Sequence, residues 1–187
     1  MTALPQPPTH LLTVAEYAQL GETTTGYTEL QEGNLIISPS SSPRVGCCCR
    51  CNPNCLTTSA RCRRVDIDLE LAFADQAEVV RRPDLVVDHK ALDQVDRDGG
   101  LLRASDVLVV VEIVSPGSQR LDHVVKRHEY ADARVGHYWI VDLDEPVTLL
   151  DCHLAGPLSY VDGGSITGTF TTTAPCPIHL ELDRLLR

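Results

Sequence analysis

Residues 107–114 read Val107-Leu108-Val109-Val110-Val111-Glu112-Ile113-Val114, and Ser115-Pro116-Gly117 follow at once. Every residue of the run except Glu112 is apolar, and most are β-branched. Such a run, without polar alternation, reads as a central strand covered on both faces. Pro116 and Gly117 end it, the first for want of an N–H and the second as a chain breaker. A chain with such a strand must build layers on both sides of it, so an α/β or α+β sheet domain is expected. Glu112 is then an anomaly. A carboxylate inside a buried strand costs several kcal/mol unless it is paired, hydrogen-bonded or bound to a metal.

A second segment, Arg82-Pro83-Asp84-Leu85-Val86-Val87-Asp88, puts another acid at the mouth of an apolar run. Residues 79–87 read as one strand carrying Asp84, with the proline holding the residue before it extended. On neighbouring strands Asp84 and Glu112 would offer two hard oxygen ligands, the kind of set a Mg²⁺ ion takes. The plain alternatives are an Asp84 paired to Arg81 or Arg82 and a Glu112 locked in a structural salt bridge. Lys126 follows on a helix. It either neutralises a phosphate or orients a water, or it is a solvated lysine paired with Asp122 at i−4.

The remaining pattern supplies the rest of a sheet domain. Thr13 caps a short helix through Tyr17 and Leu20, with Glu16 completing a capping box. Residues 27–30 and 34–37 flank Gln31-Glu32-Gly33 as a hairpin. Residues 65–72 alternate apolar side chains with Asp66, Asp68 and Glu70, a half-buried strand. Residues 90–104 form a loop or short helix. Leu121, Val124, Val125, His128 and Ala131 mark one face of the next helix, and His128 on that face reads as a core histidine. Residues 137–142 and 147–153 pair across Asp144-Glu145-Pro146. A glycine- and threonine-rich β edge and a short helix over 181–186 close the chain. Tyr130, Tyr138 and Trp139 read as core packing.

In this order and spacing, several short motifs carry a family resemblance. They are Leu12-Thr13-Val14-Ala15-Glu16-Tyr17, Tyr27-Thr28-Glu29-Leu30-Gln31-Glu32-Gly33, Ser38-Pro39-Ser40, Arg82-Pro83-Asp84-Leu85, and Glu112-Ile113-Val114-Ser115-Pro116. Asp122 with Lys126 and Tyr130, and His137-Tyr138-Trp139-Ile140-Val141-Asp142, complete them. Over residues 10–44 and 64–187 the chain resembles the restriction-endonuclease-like family often called Uma-two, within the PD-(D/E)xK nuclease superfamily. The resemblance implies a mixed central sheet flanked by helices and a metal-dependent endonuclease acting on DNA. It implies Asp84, Glu112, Lys126 and Glu29 as catalytic residues and Asp84 and Glu112 as ligands of Mg²⁺, with Mn²⁺ as a substitute. Glu29 would hold a metal-bound water or Lys126. The residue two places after Glu112 is Val114, not the lysine of the plain superfamily motif. The resemblance moves that lysine to the following helix, at Lys126.

Eight cysteines are present, and six of them lie between Cys47 and Cys62. Zinc sites space their thiolates in separated pairs, and this clump has neither a second pair nor a histidine, so zinc is not expected. Nor is a disulfide framework, because nothing signals an oxidising compartment. The segment 45–63 also interrupts the resemblance. It lacks the apolar stripe of a helix that would cover the sheet, and Pro53 would break one. A reading-frame slip accounts for the pattern, since a run of leucine codons read one base off becomes a run of cysteines.

At 187 residues the chain suits one domain over 11–187, behind a proline-bearing, disordered lead-in at 1–10. No apolar window is long enough for a membrane span, and the N-terminus lacks the pattern of a signal peptide, so the cytoplasm is the expected location. The net charge of −10 runs against the basic face of most nucleic-acid binders. A homodimer or partner would have to supply positive surface. No Gly-x-Ser-x-Gly elbow and no phosphate loop occurs, which sets aside serine hydrolases and P-loop enzymes. The competing function class is a non-catalytic member, an interaction protein or the damaged product of a frameshifted gene.

Overall fold

The structure is a computed structural model, and it describes residues 10–20, 27–38, 64–66, 70–73, 78–88, 101–156 and 159–186. The cysteine-rich segment 45–63, the lead-in at 1–9 and the stretch 89–100 lie outside these residues, and so do the expectations made for 1–9 and 45–63. Of the loop or short helix expected over 90–104, the described end is a strand at Leu102–Arg103 and the start of a 3₁₀ turn. Cys176 is disulfide-bonded, contrary to the expectation of no disulfides.

Helix α1 (Val14–Leu20) starts as its capping box dictates. The Thr13 amide donates to Glu16 Oε2 at 2.8 Å, and the Glu16 amide donates back to Thr13 Oγ1 at 3.2 Å. Strands β1 (Tyr27–Gln31) and β2 (Asn34–Ser38) form the expected antiparallel hairpin. Its two-residue turn has positive φ at both Glu32 and Gly33, the conformation that suits the twist of a tight hairpin.

The next two arms depart from expectation in an informative way. Residues 79–87 are not one unbroken strand, and the described parts of 65–72 fall in two different sheets. The first arm gives β3 (Arg64–Asp66) and β4 (Leu71–Phe73). The second gives β5 (Val79–Arg81) and β6 (Leu85–Asp88). Leu71 opposes Arg81 and Arg64 opposes Asp88, so both halves keep one antiparallel register. The hairpin bends in its middle and passes from one sheet to another. Pro83 has no N–H to give a ladder, and Arg82-Pro83-Asp84 is the bend of the second arm. Asp84 therefore sits at the corner between sheets rather than within a strand.

Beyond the corner come β7 (Leu102–Arg103), a 3₁₀ turn (Ala104–Asp106) and β8 (Val109–Val114). Strands β9 (His137–Asp142), β10 (Thr148–Leu154), β11 (Tyr160–Thr167), β12 (Thr169–Thr172) and β13 (Ile178–Glu181) follow, and a 3₁₀ turn (Leu182–Leu186) ends the described chain. One sheet runs β2-β1-β5-β4-β7, a second runs β11-β10-β9-β8-β6-β3, and β12 pairs with β13. β8 and β9 are parallel, joined by a helical crossover, while β6 and β8 are antiparallel. The fold is thus mixed α+β with few helices, and β8 is central as its composition requires.

The pleat sorts β8 into two cores. Val109 and Val111 pack with Leu85, Val87, Trp139 and the β12–β13 hairpin residues Phe170, Ile178 and Leu180. Val110 packs on the other face with Val86, Tyr130, Tyr138 and Ile140. By the same alternation Glu112 points to this second face, under the crossover helix.

That helix presents a different face from the one expected. A π-helical stretch (Leu121–Lys126) runs into α2 (Arg127–Asp132). Asp122, Lys126, Tyr130 and Ala131 are buried, whereas Val124 is 47% exposed and His128 is exposed. Of the apolar face predicted from Leu121, Val124, Val125, His128 and Ala131, Ala131 is buried, but Val124 and His128 give way to charges that meet partners on the sheet. His128 is no core histidine; its Nδ1 lies 2.7 Å from the Val124 carbonyl oxygen.

Candidate active site

Glu112 is 3% exposed, and its burial is offset by two contacts on one oxygen. Lys126 Nζ lies 2.9 Å from Oε1, and the Tyr130 hydroxyl donates to the same Oε1 at 2.9 Å. Lys126 also reaches Asp122 Oδ1 at 3.2 Å. Lys126 is 7% exposed, so it is not the solvated lysine of the plain reading, although its pairing with Asp122 is the one that reading named. Asp122 is held in turn. Ser118 Oγ donates to its Oδ2 at 2.5 Å, and the Tyr138 hydroxyl donates to its backbone carbonyl at 3.0 Å. Ser118 also accepts the Ser115 amide at 2.9 Å, which ties the turn after β8 to the helix.

Asp84 is placed by the register. Leu85 opposes Val111 in the last pair of the ladder, and Asp84 follows at the corner just beyond it, near enough for its charge to raise Glu112. The Ile113 amide donates to Asp84 Oδ2 at 2.7 Å, fixing the carboxylate beside the end of β8. Arg81 and Arg82 were the partners the plain reading offered Asp84, but Arg81 pairs elsewhere. Its Nε and Nη2 donate to Glu129 Oε2 and Oε1 at 2.8 and 2.7 Å, and its Nη1 donates to Glu29 Oε2 at 3.2 Å.

Glu29 therefore grips the corner. Its Oε1 accepts the Arg82 amide at 3.0 Å, one residue before Pro83. Its contacts go to Arg81 and Arg82 rather than directly to Lys126, but its charge helps raise the Lys126 pKa.

The electrostatics are those of an acid-rich centre. Burial pushes the Glu112 carboxyl up to about 8; the Lys126 ammonium pulls it back, and the charges of Asp84 and Asp122 add to the rise. Burial alone would lower Lys126, yet the charges of Glu112, Glu29 and Asp122 outweigh it and hold the ammonium above its ordinary value. Burial, then the Glu112 charge, lifts Tyr130 far above a free phenol, so it stays a donor. Among the described residues, Glu29 and Glu129 pair with Arg81, Glu112 and Asp122 pair with Lys126, and the Asp84 charge lies close to Glu112.

This donor set fits a Mg²⁺ ion. Asp84 lies near enough to Glu112 for its charge to raise the Glu112 carboxyl, and among the described residues both contacts to Glu112 fall on Oε1. Mg²⁺ binds through one or two carboxylates and keeps several waters. Among the described residues no group of three or more histidines, cysteines or acids that could hold a metal ion occurs.

Arg81, Glu129, Tyr130 and Asp122 are the members of this constellation that sequence reasoning did not assign to the site. Asp122, Lys126 and Tyr130 recur at i, i+4 and i+8, and that spacing is the signal that marks the face.

The comparisons agree with the fold. The crystal structure of a "putative nuclease belonging to DUF820" from Anabaena variabilis superposes with a TM-score of 0.62 at 19% identity, over 94% of this chain and 97% of that one. No curated protein matches the chain. The family model Uma2, described as "Putative restriction endonuclease", matches residues 14–150. A match over more than half of the sequence, on the elements that carry Glu29, Asp84, Glu112 and Lys126, makes the chain a member of the Uma2 family.

Proposed function

We propose that the protein is a metal-dependent nuclease that hydrolyses DNA phosphodiester bonds, with Asp84 and Glu112 holding Mg²⁺, or Mn²⁺ in its place. The observation that carries the reading is the buried Glu112–Lys126 contact at 2.9 Å, with Asp84 held by the Ile113 amide beside it. A buried ion pair contributes little net stability, so chemistry is the better account of it. When bound, the cation would lower the pKa of a water in its shell and offset charge on the phosphoryl oxygens.

The chain's own residues do the rest. The Ile113 amide fixes Asp84, and the Tyr130 hydroxyl fixes Glu112. Lys126, held by Asp122, keeps its proton and offers a positive charge to a phosphate at the mouth of the pair. Glu29 braces the corner from which Asp84 projects.

The test is nicking of supercoiled plasmid by the wild type and by Asp84→Asn, Glu112→Gln and Lys126→Met, with Mg²⁺ or Mn²⁺. Cleavage that each variant abolishes supports the reading; a wild type that cuts with neither cation overturns it. The net charge of −10 favours a second reading, a member that binds a partner without cutting DNA, and the same negative result would support it.

A further inference from the structure

Arg81 is 1% exposed and uses all three faces of its guanidinium. The side-on pair to Glu129 employs Nε and Nη2, and Nη1 turns to Glu29. Only a planar fork with donors in fixed directions makes these contacts together. Glu129 lies between Lys126 and Tyr130, on the helix that carries both groups contacting Glu112. Glu29 lies on β1, and its second oxygen accepts the Arg82 amide next to the Pro83-Asp84 bend.

The contacts form a closed circuit. It runs from Asp84 through the Arg82 backbone to Glu29, through Arg81 to Glu129, along the helix to Lys126 and Tyr130, and to Glu112. The Ile113 amide returns it to Asp84. The circuit spans the junction of the two sheets and the helix. Burying a guanidinium between two carboxylates gives little net stability compared with apolar packing, and a polar cluster of this kind is retained for geometry.

We propose that Arg81 is a positioning residue. It clamps the helix bearing Lys126 and Tyr130 to the corner bearing Asp84, so that the ammonium and the two metal-ligand carboxylates keep their relative places. The proposal deepens the nuclease reading and rests on it for the turnover readout alone. Its structural readout is independent. Arg81 acts through Glu29 and Glu129, and neither it nor Glu129 needs to touch the substrate.

Two variants of the full chain test this. Arg81→Lys keeps the charge and loses the fork. Glu129→Gln keeps the shape and loses the charge. Hydrogen exchange read by mass spectrometry should show residues 119–132 exchanging at least about ten-fold faster in both, with β8, β9 and β10 as protected as in the wild type. In plasmid or oligonucleotide cleavage, kcat should fall about ten-fold or more while KM stays within about two-fold, since a small misplacement of reacting groups acts on turnover. The double variant should be no slower than the worse single one.

Helix protection unchanged in both variants would overturn the clamp. So would a loss of protection spread evenly over the fold, which would mark Arg81 as a general stabiliser. Full turnover in a variant with a loosened helix would equally overturn it. If the wild type fails to cut DNA with every divalent cation tried, the nuclease reading fails by itself, and the exchange pattern alone decides whether Arg81 clamps the helix.

Discussion

Glu112 is the residue where burial and chemistry meet. Its raised pKa, about 8, gives two expectations of opposite sign. In the metal-free protein a carboxyl raised on folding favours the native state while protonated. That contribution is complete below the unfolded value near 4.5 and is lost as pH rises through about 8. The melting temperature of the metal-free wild type should therefore fall between pH 5 and 8, and Glu112→Gln should flatten the fall. Cation binding runs the other way, because the proton competes with the metal. Calorimetry should show Mn²⁺ affinity rising with pH up to about 8 and largely lost in Glu112→Gln or Asp84→Asn. Lys126 calls for a control. Removing it leaves Glu112 and Asp122 buried without their cation, a loss on the order of 3–5 kcal/mol. Lys126→Met should be clearly less stable to urea, and Glu112→Gln with Lys126→Met should recover most of the loss without recovering cleavage. The anomaly of Glu112 was legible because an acid in a valine run has no cheap explanation. Arg81 was not, because its acids lie 52 and 48 positions away, and nothing local in Val79-Val80-Arg81 announces a partner.

At the scale of elements, the strand segments were readable where the chain is described, but neither their breaks nor the bend was. Alternation marked 65–72, and an apolar run marked 79–87. Whether an arm stays in one sheet depends on what each half packs against, and that is tertiary information. Pro83 was the local hint, since it cannot serve a ladder. The crossover helix misled for a related reason. Val124 and Leu121 fit an apolar stripe, but the sheet beneath offers Glu112, and burying Asp122, Lys126 and Tyr130 satisfies it. The β1–β2 turn supplies a clean test of how firmly the corner is braced. Gly33 has φ +78°, and a Cβ there would lie 2.8 Å from the Leu11 Cβ and 3.2 Å from the Leu12 carbonyl oxygen. Its carbonyl also accepts the Leu12 amide at 2.7 Å, and its amide donates to the Glu78 carbonyl at 3.1 Å. Gly33→Ala combines a strained φ with backbone crowding and should cost about 1–3 kcal/mol in urea unfolding. It should also slow cleavage beyond the unfolded fraction, because β1 carries Glu29. Activity tracking only the folded population would show that the hairpin does not transmit to the corner.

The whole molecule carries −10, and its candidate centre concentrates acid. DNA approaching this face meets repulsion unless a cation intervenes, so binding and metal occupancy should be coupled. Among the described residues no helix is long and apolar enough to cross a membrane. Fluorescence anisotropy of a labelled duplex should show weak binding in EDTA. Ca²⁺, which supplies the same charge with a larger and looser shell, should strengthen it at least about ten-fold, the factor that 1.4 kcal/mol represents. Asp84→Asn should lose most of that gain, and a non-catalytic member that binds through some other surface should lose none of it. The salt dependence separates the remaining cases. Each phosphate neutralised by a basic side chain adds about 0.9 to the slope of log K against log salt. A chain that relies on a bound cation rather than a basic face should give a shallow slope. A steep slope with tight binding in EDTA would mean a basic surface assembled from more than one copy, and sedimentation on the same sample would then show a dimer. A shallow slope with metal-coupled binding would instead leave the two carboxylates at the sheet corner as the place where this acidic protein and an anionic substrate become compatible.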